Sequence, residues 1–489
     1  MRMPLTEAEK AEMKKPRPPS KKQIKKALNE EKKLLKKKRS SAKRVKKSKL
    51  ENLERLNHDA AGLDIGAREI YACVPQGRDK KNVRKFNTFT VDLEALGDWL
   101  SDCSIKTVAM ESTGVYWIPI FEILENRGFD VNLVNARQVK NVPGKKSDVM
   151  DCQWIQQLHS YGLLQASFRP EEDMCALRAL IRHREMLVKY RAIHVQHMQK
   201  CLEIMNIKLC SVIRDITGTT GMKIIRSIIN GVRDPVTLAQ FRDPRCASTT
   251  DEIAKSLEGN YKSEHLFTLQ QALGLYDTYA ALIESSDAEI KRNYSALKSY
   301  KGNKELPPLP KKRVKNKKNQ PSFDLRAYLY EICGVDLTMI DGIDVLTVQT
   351  IISEIGLDMS KWLTVKHFTS WLGVCPCNKL SGGKVLARGS KKIKNRANLA
   401  LRVACRSLWK SNSALGAFYR RMRAKHGPKK ANLAASHKIA RIIYFMLRDK
   451  TAYDDPGEEY YLEKYRTRII KNMKRKAATL GYEIVLKPV

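Results

Sequence analysis

The chain has 489 residues, 43% of them hydrophobic, and carries 91 Lys and Arg against 52 Asp and Glu, a formal net charge of +39. This length allows two or three domains with sizeable hydrophobic cores. The excess of positive charge favours a polyphosphate partner that is bound electrostatically. No apolar stretch reaches transmembrane length and the N-terminus lacks the apolar core of a signal peptide. We therefore expect a soluble intracellular protein and not a membrane-spanning or secreted one.

Cysteine usage agrees with that expectation. The 11 cysteines are odd in number and scattered, without a Cys-x-x-Cys pair. Cys375 and Cys377 are too close for the usual zinc knuckle, and no histidine cluster follows them. These features predict reduced thiols in a cytosolic compartment.

The first 57 residues are predicted to be a basic, flexible extension. Residues 1–50 contain twenty Lys and Arg against five Glu, with little apolar surface to bury. This composition favours a solvated tail with non-specific affinity for nucleic acid.

From His58 the pattern changes to α/β, and we place a domain at 58–165. Strands are predicted over 60–64, 69–74, 83–91, 106–110 and 130–134, and helices over 92–101, over 117–125 and from Asp148. Three antiparallel strands followed by helix–strand repeats is the order of ribonuclease-H-like folds.

The remaining chain is predicted to be mostly helical. Long amphipathic helices near 171–209 and 263–297 form a region at 166–300, and ordinary helix packing, an antiparallel pair and a coiled-coil dimer all remain open. A basic, proline-containing linker follows at 301–323. A helical domain at 324–456 and a basic C-terminal tail at 457–489 complete the chain.

Four acidic residues stand out in this basic protein: Asp64, Glu111, Asp148 and Asp151. The first two lie on predicted strands, and the last two are three residues apart, which places them on one helix face. Such carboxylates repel each other unless a hard divalent cation with oxygen ligands lies between them. Two Mg²⁺ ions roughly 4 Å apart would suit phosphodiester chemistry. Each acid alone also fits a structural role at a turn or helix N-terminus.

Ser381 precedes Gly382 and Gly383 in a predicted tight, accessible loop. From Lys379 to Arg402 there are eight Lys and Arg and no acid. A serine needs a base or metal to become a nucleophile, and nearby cations would stabilise developing phosphate charge. Alternatively, Ser381 only makes turn hydrogen bonds in a loop that grips phosphate.

The segment 337–355 resembles a helix–hairpin–helix with its turn at Gly342. Such a turn presents backbone N–H groups to a DNA phosphate. Asp344 would repel that phosphate, and an ordinary corner between two helices remains the alternative.

Together the motifs resemble the DEDD-type transposases of bacterial insertion sequences, over about His58 to Pro456. The resemblance rests on these segments: Gly62-Leu-Asp64-Ile-Gly66, Met110-Glu111-Ser-Thr-Gly-Val-Tyr-Trp117, Val134-Asn-Ala-Arg137-Gln-Val-Lys140, Lys146-Ser-Asp148-Val-Met-Asp151, Trp371-Leu-Gly-Val-Cys-Pro376, Ser381-Gly-Gly-Lys384, Lys394-Asn-Arg396-Ala397, Ser413-Ala-Leu-Gly-Ala-Phe-Tyr-Arg-Arg421 and His437-Lys-Ile-Ala-Arg441.

The resemblance implies a RuvC-like N-terminal domain, a coiled-coil middle and a C-terminal transposase domain. It implies that an acidic tetrad with Mg²⁺ activates a serine, which attacks DNA to form a covalent phosphoserine before strand exchange through a Holliday-junction-like state. It also implies double-stranded donor and target DNA, a structured noncoding guide RNA, and a tetramer in which different subunits supply tetrad and serine. The location implied is the bacterial cytosol, at the nucleoid.

By position, Asp64, Glu111, Asp148 and Asp151 match the tetrad, and Ser381 matches the nucleophile. The candidate nucleic-acid contacts are Arg137, Lys145, Lys146, Gly382, Gly383, Lys384, Arg388, Lys391, Lys394, Asn395 and Arg396. Two departures are present: Leu380 stands where many relatives carry a second serine, and Ala397 replaces the glycine before Asn398.

Two rival functions remain open on the sequence. In a RuvC-like hydrolytic nuclease, the same tetrad activates water and Ser381 is structural. In a non-catalytic nucleic-acid-binding protein, the four acids are structural as well.

Overall fold

The computed structural model describes residues 54–135, 139, 147–300, 305–309, 319–382, 384–387, 389 and 395–485. The basic extension up to residue 53 and most of the predicted linker at 301–323 lie outside the described residues. The chain divides into two compact units, one ending at Arg169 and the other beginning at Pro170.

A mixed five-stranded sheet forms the first unit, in the order β3-β2-β1-β4-β5. Its strands are β1 Ala60–Ile65, β2 Glu69–Cys73, β3 Val83–Asn87, β4 Thr107–Glu111 and β5 Asp130–Val134. The pairs β1–β2 and β2–β3 are antiparallel, whereas β1–β4 and β4–β5 are parallel. The central strand β1 is almost wholly apolar, as expected where both faces of a strand are covered.

Three helices cover the two faces of this sheet: α1 Thr90–Asp102, α2 Trp117–Asn126 and α3 Asp148–Ser160. Helices α1 and α2 pack on one face, in a core that contains Leu63 and Met110. Helix α3 packs on the opposite face, where Ile155 contacts the smaller side chain of Ala109.

Strand alternation decides the face on which each candidate acid lies. Successive side chains of a strand point to opposite faces. Since Leu63 and Met110 point towards α1 and α2, Asp64 and Glu111 lie on the face that α3 covers.

Gly62 allows α3 to approach β1 backbone to backbone. A Cβ at this position would lie 2.2 Å from the backbone nitrogen of Gln156 and 2.6 Å from the carbonyl oxygen of Cys152. The side-chain amide of Gln156 also donates to the carbonyl oxygen of Ala60, at 3.1 Å. These contacts orient α3 antiparallel to β1, so that its N-terminal turn lies towards Asp64.

The mixed sheet followed by a mostly helical region confirms the predicted fold class at that level. One predicted element is wrong in extent: residues 83–91 were expected to be a single strand, but β3 ends at Asn87 and α1 begins at Thr90. The β-branched residues Thr90 and Val91 continue the strand pattern. They start a helix because Leu93 and the leucines that follow it are buried against the sheet.

Two long antiparallel helices, α4 Glu172–Ile204 and α9 Ser263–Ala296, begin the second unit. Arg184 on α4 forms a buried ion pair with Asp287 on α9, and Cys201 contacts Thr268 at 3.3 Å further along. Between the long helices lie four short ones, α5 Leu209–Val212, α6 Thr219–Ile229, α7 Pro235–Ala239 and α8 Thr250–Ser256. They share an apolar core with the ends of α4 and α9.

Among its described residues, the rest of the second unit is mostly helical and contains one hairpin. Its helices are α10 Leu325–Cys333, α11 Val345–Ile355, α12 Val365–Trp371, α13 Arg396–Ala404, α14 Ala414–His426, α15 Pro428–Asp449 and α16 Gly457–Thr479. Short 3₁₀ helices occupy Leu337–Met339, Met359–Lys361 and Cys405–Lys410. Strands β6 Lys379–Ser381 and β7 Lys384–Ala387 pair antiparallel.

The predicted basic C-terminal tail contains helix α16 at Gly457–Thr479, which the sequence analysis did not predict. The tail was inferred from basic composition alone. That criterion overlooks the helical spacing of Leu462, Ile469 and Met473. No helix among the described residues is both long and apolar enough to cross a membrane.

The turn at Gly342 packs against the protein. A Cβ there would lie 3.0 Å from both the carbonyl oxygen of Ala404 and the hydroxyl oxygen of Ser407. The carboxylate of Asp344 accepts the backbone N–H of Thr347 at 2.9 Å and so caps α11 itself. Both observations favour an ordinary corner between helices over a phosphate-binding hairpin.

Gly62→Ala is expected to destabilise the first unit by about 1–3 kcal/mol or more, because the added methyl group overlaps the α3 backbone. Urea unfolding of the full chain measures this loss. Gly274→Ala is the matched control, since a Cβ at Gly274 on α9 meets nothing within 4 Å. The control should be neutral or stabilising by up to about 1 kcal/mol. Equal stability of both variants would contradict the close approach at Gly62.

Candidate active site

Asp64 and Glu111 lie at neighbouring strand ends. The register of the parallel pair β1–β4 ends with Leu63 opposite Met110, so each acid follows directly after the last residue that joins these two strands. Thr113 donates from its hydroxyl to the carboxylate of Glu111 at 3.4 Å. The two carboxylates therefore share one edge and one face of the sheet.

The first turn of α3 supplies Asp148 and Asp151. The hydroxyl of Ser147 accepts the backbone N–H of Met150 at 3.3 Å and caps the helix. Because Ser147 caps the helix, Asp148 and Asp151 are not needed as its N-terminal cap. Their carboxylates are near enough to act electrostatically on Asp64.

Burial and neighbouring negative charge raise the pKa of Asp64 from 3.8 to about 6. Burial is the largest cause, and the charges of Asp151, Asp148 and Glu111 follow in that order. The other three acids that the sequence singled out are therefore near enough to raise the pKa of Asp64 electrostatically. This electrostatic convergence is the central observation at the site.

The donor set fits a hard divalent cation, although its members are not yet at coordination distance. No group of three or more His, Cys, Asp or Glu side chains within the described ranges stands close enough together to hold a metal ion. All four donors are carboxylates, the ligands that Mg²⁺ and similar ions prefer. Mutual repulsion keeps such side chains apart, and a bound cation would remove that repulsion.

Ser381 is exposed at the end of β6, where it pairs with Lys384 across the hairpin. Gly382 follows it with a φ of +53°, a left-handed conformation that a residue with a side chain rarely adopts. The backbone N–H of Cys377 donates to the carbonyl oxygen of Gly389 at 2.7 Å and joins the two limbs of the hairpin. The structure thus presents the serine on a tight, accessible turn.

Asn398 holds the base of this hairpin together. Its buried side-chain amide donates to the carbonyl oxygen of Leu372 at 2.6 Å, before the hairpin. Its backbone N–H donates to the side chain of Asn395 at 3.2 Å, where the chain returns and α13 begins. This role was not inferred from the sequence. An asparagine within the first turn of a helix after a basic loop was the available signal.

The candidate nucleic-acid contacts have different surroundings. Lys384 is exposed on β7, and Asn395 caps α13. Arg396 forms an ion pair with Glu185 on α4 and lies 3.7 Å from Glu354 on α11, so its guanidinium is already engaged within the protein. The candidates outside the described residues are Arg137, Lys145, Lys146, Gly383, Arg388, Lys391 and Lys394.

Two family models match the chain. A DEDD transposase model of the IS110 type matches residues 61–207, which contain all four acids. A model described as transposase of the IS116/IS110/IS902 family matches residues 336–420, which contain Ser381. No curated protein matches the chain.

The four acids, carried by the mixed sheet and helix α3, lie within the segment that matches the DEDD transposase model. The chain belongs to the IS110 family of these enzymes. It is therefore a DNA transposase and not a non-catalytic nucleic-acid-binding protein. Its acidic residues imply that the enzyme depends on a divalent metal ion.

Asp64→Asn is expected to stabilise the metal-free protein at about pH 8, by roughly 1–2 kcal/mol after allowance for solvent screening. The folded-state pKa of Asp64 lies above its ordinary value, so folding is favoured at low pH and this contribution is lost as the pH rises from 3.8 to about 6. Thermal unfolding in EDTA at low and high pH measures the difference.

Below 3.8 the difference should vanish, because Asp64 is then protonated in both states. Added Mg²⁺ at high pH should stabilise the unaltered chain and not the variant. Asp102→Asn, at an exposed carboxylate on α1, is the control. A stabilisation by Asp64→Asn that is the same at both pH values would contradict the proposed repulsion.

Proposed function

We propose that this transposase cuts and rejoins DNA through a covalent bond to Ser381, activated by a tetrad of Asp64, Glu111, Asp148 and Asp151. The convergence of three negative charges on Asp64 carries this proposal. Two Mg²⁺ ions bound there would polarise the phosphodiester and stabilise the attacking and leaving oxygens. The surrounding α/β domain acts as a RuvC-like catalytic domain.

In the first step the hydroxyl oxygen of Ser381 attacks a DNA phosphorus atom and loses its proton. A bond from oxygen to phosphorus forms at the serine, and the bond from phosphorus to one deoxyribose oxygen breaks, so a DNA hydroxyl leaves with a proton. In the second step a hydroxyl of the other DNA strand attacks the phosphoserine and releases the serine. The number of phosphate ester bonds is unchanged, so no external energy source is required.

The hairpin suits this role because it exposes the nucleophile on a restrained turn. Gly382 makes the turn, and Asn398 anchors both ends of the segment that carries it. Nearby cations such as Lys384 would stabilise the charge of the five-coordinate phosphorus. Exposure of Ser381 also permits a composite site, in which the tetrad and the serine come from different subunits of a tetramer assembled from dimers.

A covalent adduct separates this proposal from the hydrolytic alternative. With labelled DNA carrying the element's own ends, the unaltered chain should give a denaturant-resistant protein–DNA adduct in Mg²⁺. Ser381→Ala and Asp64→Asn should each lower adduct and strand-transfer yields by about 10³-fold or more. Ser285→Ala, at an exposed serine on α9, should leave both unchanged. If Ser381→Ala still cleaves DNA at full rate, the enzyme is a RuvC-like nuclease.

We also propose that a structured noncoding RNA from the element's flank selects donor and target DNA. The net charge of +39 supports an RNA partner as readily as a DNA partner. Protein purified from cells that carry the element with its flanks should retain one predominant RNA encoded there. Protein from cells without the flanks should not. If both preparations contain only random host RNA, the proposal that an RNA guides the enzyme is wrong.

A further inference from the structure

Helix α16 is long, basic and exposed. It spans Gly457–Thr479, and none of its residues is buried. Seven Lys and Arg occur in it against three Glu. The helix lies beyond both matched segments, which end at residues 207 and 420. The family assignment therefore gives it no role.

Four cations of α16 form one face of the helix, here called the basic row. They are Lys464, Arg468, Lys471 and Arg475, all exposed. Their spacings of four, three and four residues return to the same side of a helix with 3.6 residues per turn. The row extends over about 16 Å, at 1.5 Å per residue, and is long enough to face several phosphates of a duplex.

Two further cations, here called the caged pair, lie where α16 packs on α14 and α15. The guanidinium of Arg421 stacks 4.3 Å from the ring centroid of Tyr465. The ammonium of Lys438 lies 4.9 Å from the ring of Phe418 and 5.3 Å from that of Tyr461. Aromatic faces hold both cations by cation–π attraction.

The caged pair lacks a carboxylate partner among the described residues, and Nε of Arg421 is buried without a hydrogen bond. Burial lowers the pKa of Lys438, the positive charges of Arg421 and Lys464 lower it further, and Asp455 opposes them. Partly desolvated cations that form no ion pair are costly, and a phosphate would neutralise them. Lys464 of the basic row is also near enough to Lys438 to act on it electrostatically.

We propose that the basic row and the caged pair together bind the backbone phosphates of a nucleic-acid duplex. Attachment of α16 to α14 accounts for the cation–π contacts of the pair, but it does not account for four exposed cations on one face. The inference requires only that the transposase holds nucleic acid. It is independent of the Ser381 chemistry, so either one can fail without the other.

The test compares two variants of the full chain that lose the same charge. The row variant is K464Q/R468Q/K471Q/R475Q, and the control is R214Q/K223Q/K255Q/K262Q, at exposed positions also outside the matched segments. Binding to a random-sequence DNA duplex and to an RNA hairpin of equal length is measured over a range of salt concentrations. Thermal unfolding and adduct formation by Ser381 are recorded for every variant.

On duplex DNA, the row variant should reduce the slope of log affinity against log salt concentration by about 3 to 4, because each lost phosphate contact lowers the slope by about 0.9. The control variant should change this slope by less than about 1. A loss confined to one probe identifies that nucleic acid as the partner. If the row variant loses no more than the control with both probes, the proposal is overturned.

A second pair of variants tests the caged pair. K438Q should reduce the same slope by about 1, whereas K438R should retain it because the charge is kept. Comparison with the thermal unfolding curves separates lost binding from lost packing of α16. An unchanged slope in K438Q would remove the caged pair from the binding surface.

Discussion

The close approach of α3 to β1 at Gly62 is the contact on which the proximity of the four candidate acids depends. Without a side chain at this position, the backbones of Gly62, Cys152 and Gln156 come within atomic contact. That contact brings the first turn of α3 alongside the end of β1, where Asp64 lies partly buried. The helix therefore adds two carboxylates to the two that the sheet already holds. Burial and, after it, the negative charges of these neighbours raise the pKa of Asp64.

In the second unit, ion pairs hold together the helices next to the serine hairpin. Arg182 on α4 donates to both carboxylate oxygens of Glu354 on α11, at 2.9 and 2.7 Å. Arg396, the first residue of α13, joins the same group through Glu185. Because α13 follows the serine hairpin directly, this network connects the long helix α4 to the base of that hairpin. Arg396 therefore has a structural role in addition to any contact with nucleic acid.

Several features of the fold were predictable because they follow from local patterns. Strand β5 and the start of α3 behind Ser147 were predicted at the residues where they occur. The strand–helix change near Thr90 was misplaced, since Thr and Val are compatible with both structures and tertiary burial decides between them. Helix α16 was missed because a high density of positive charge conceals the periodicity of its apolar residues. The glycine of β1 was a further signal, since glycine inside a strand marks a close backbone approach.

By itself the sequence determined which side chains are chemically distinctive: four acids in a basic chain, and one serine before two glycines. It also determined the order of strands and helices in the first unit, because hydrophobic periodicity is a local property. Only the tertiary structure decided that the acids converge on Asp64, that Gly342 packs inwards, and that Arg396 is already paired. These outcomes depend on contacts between residues far apart in the chain, and spacing along a sequence does not encode distance across a sheet or between helices.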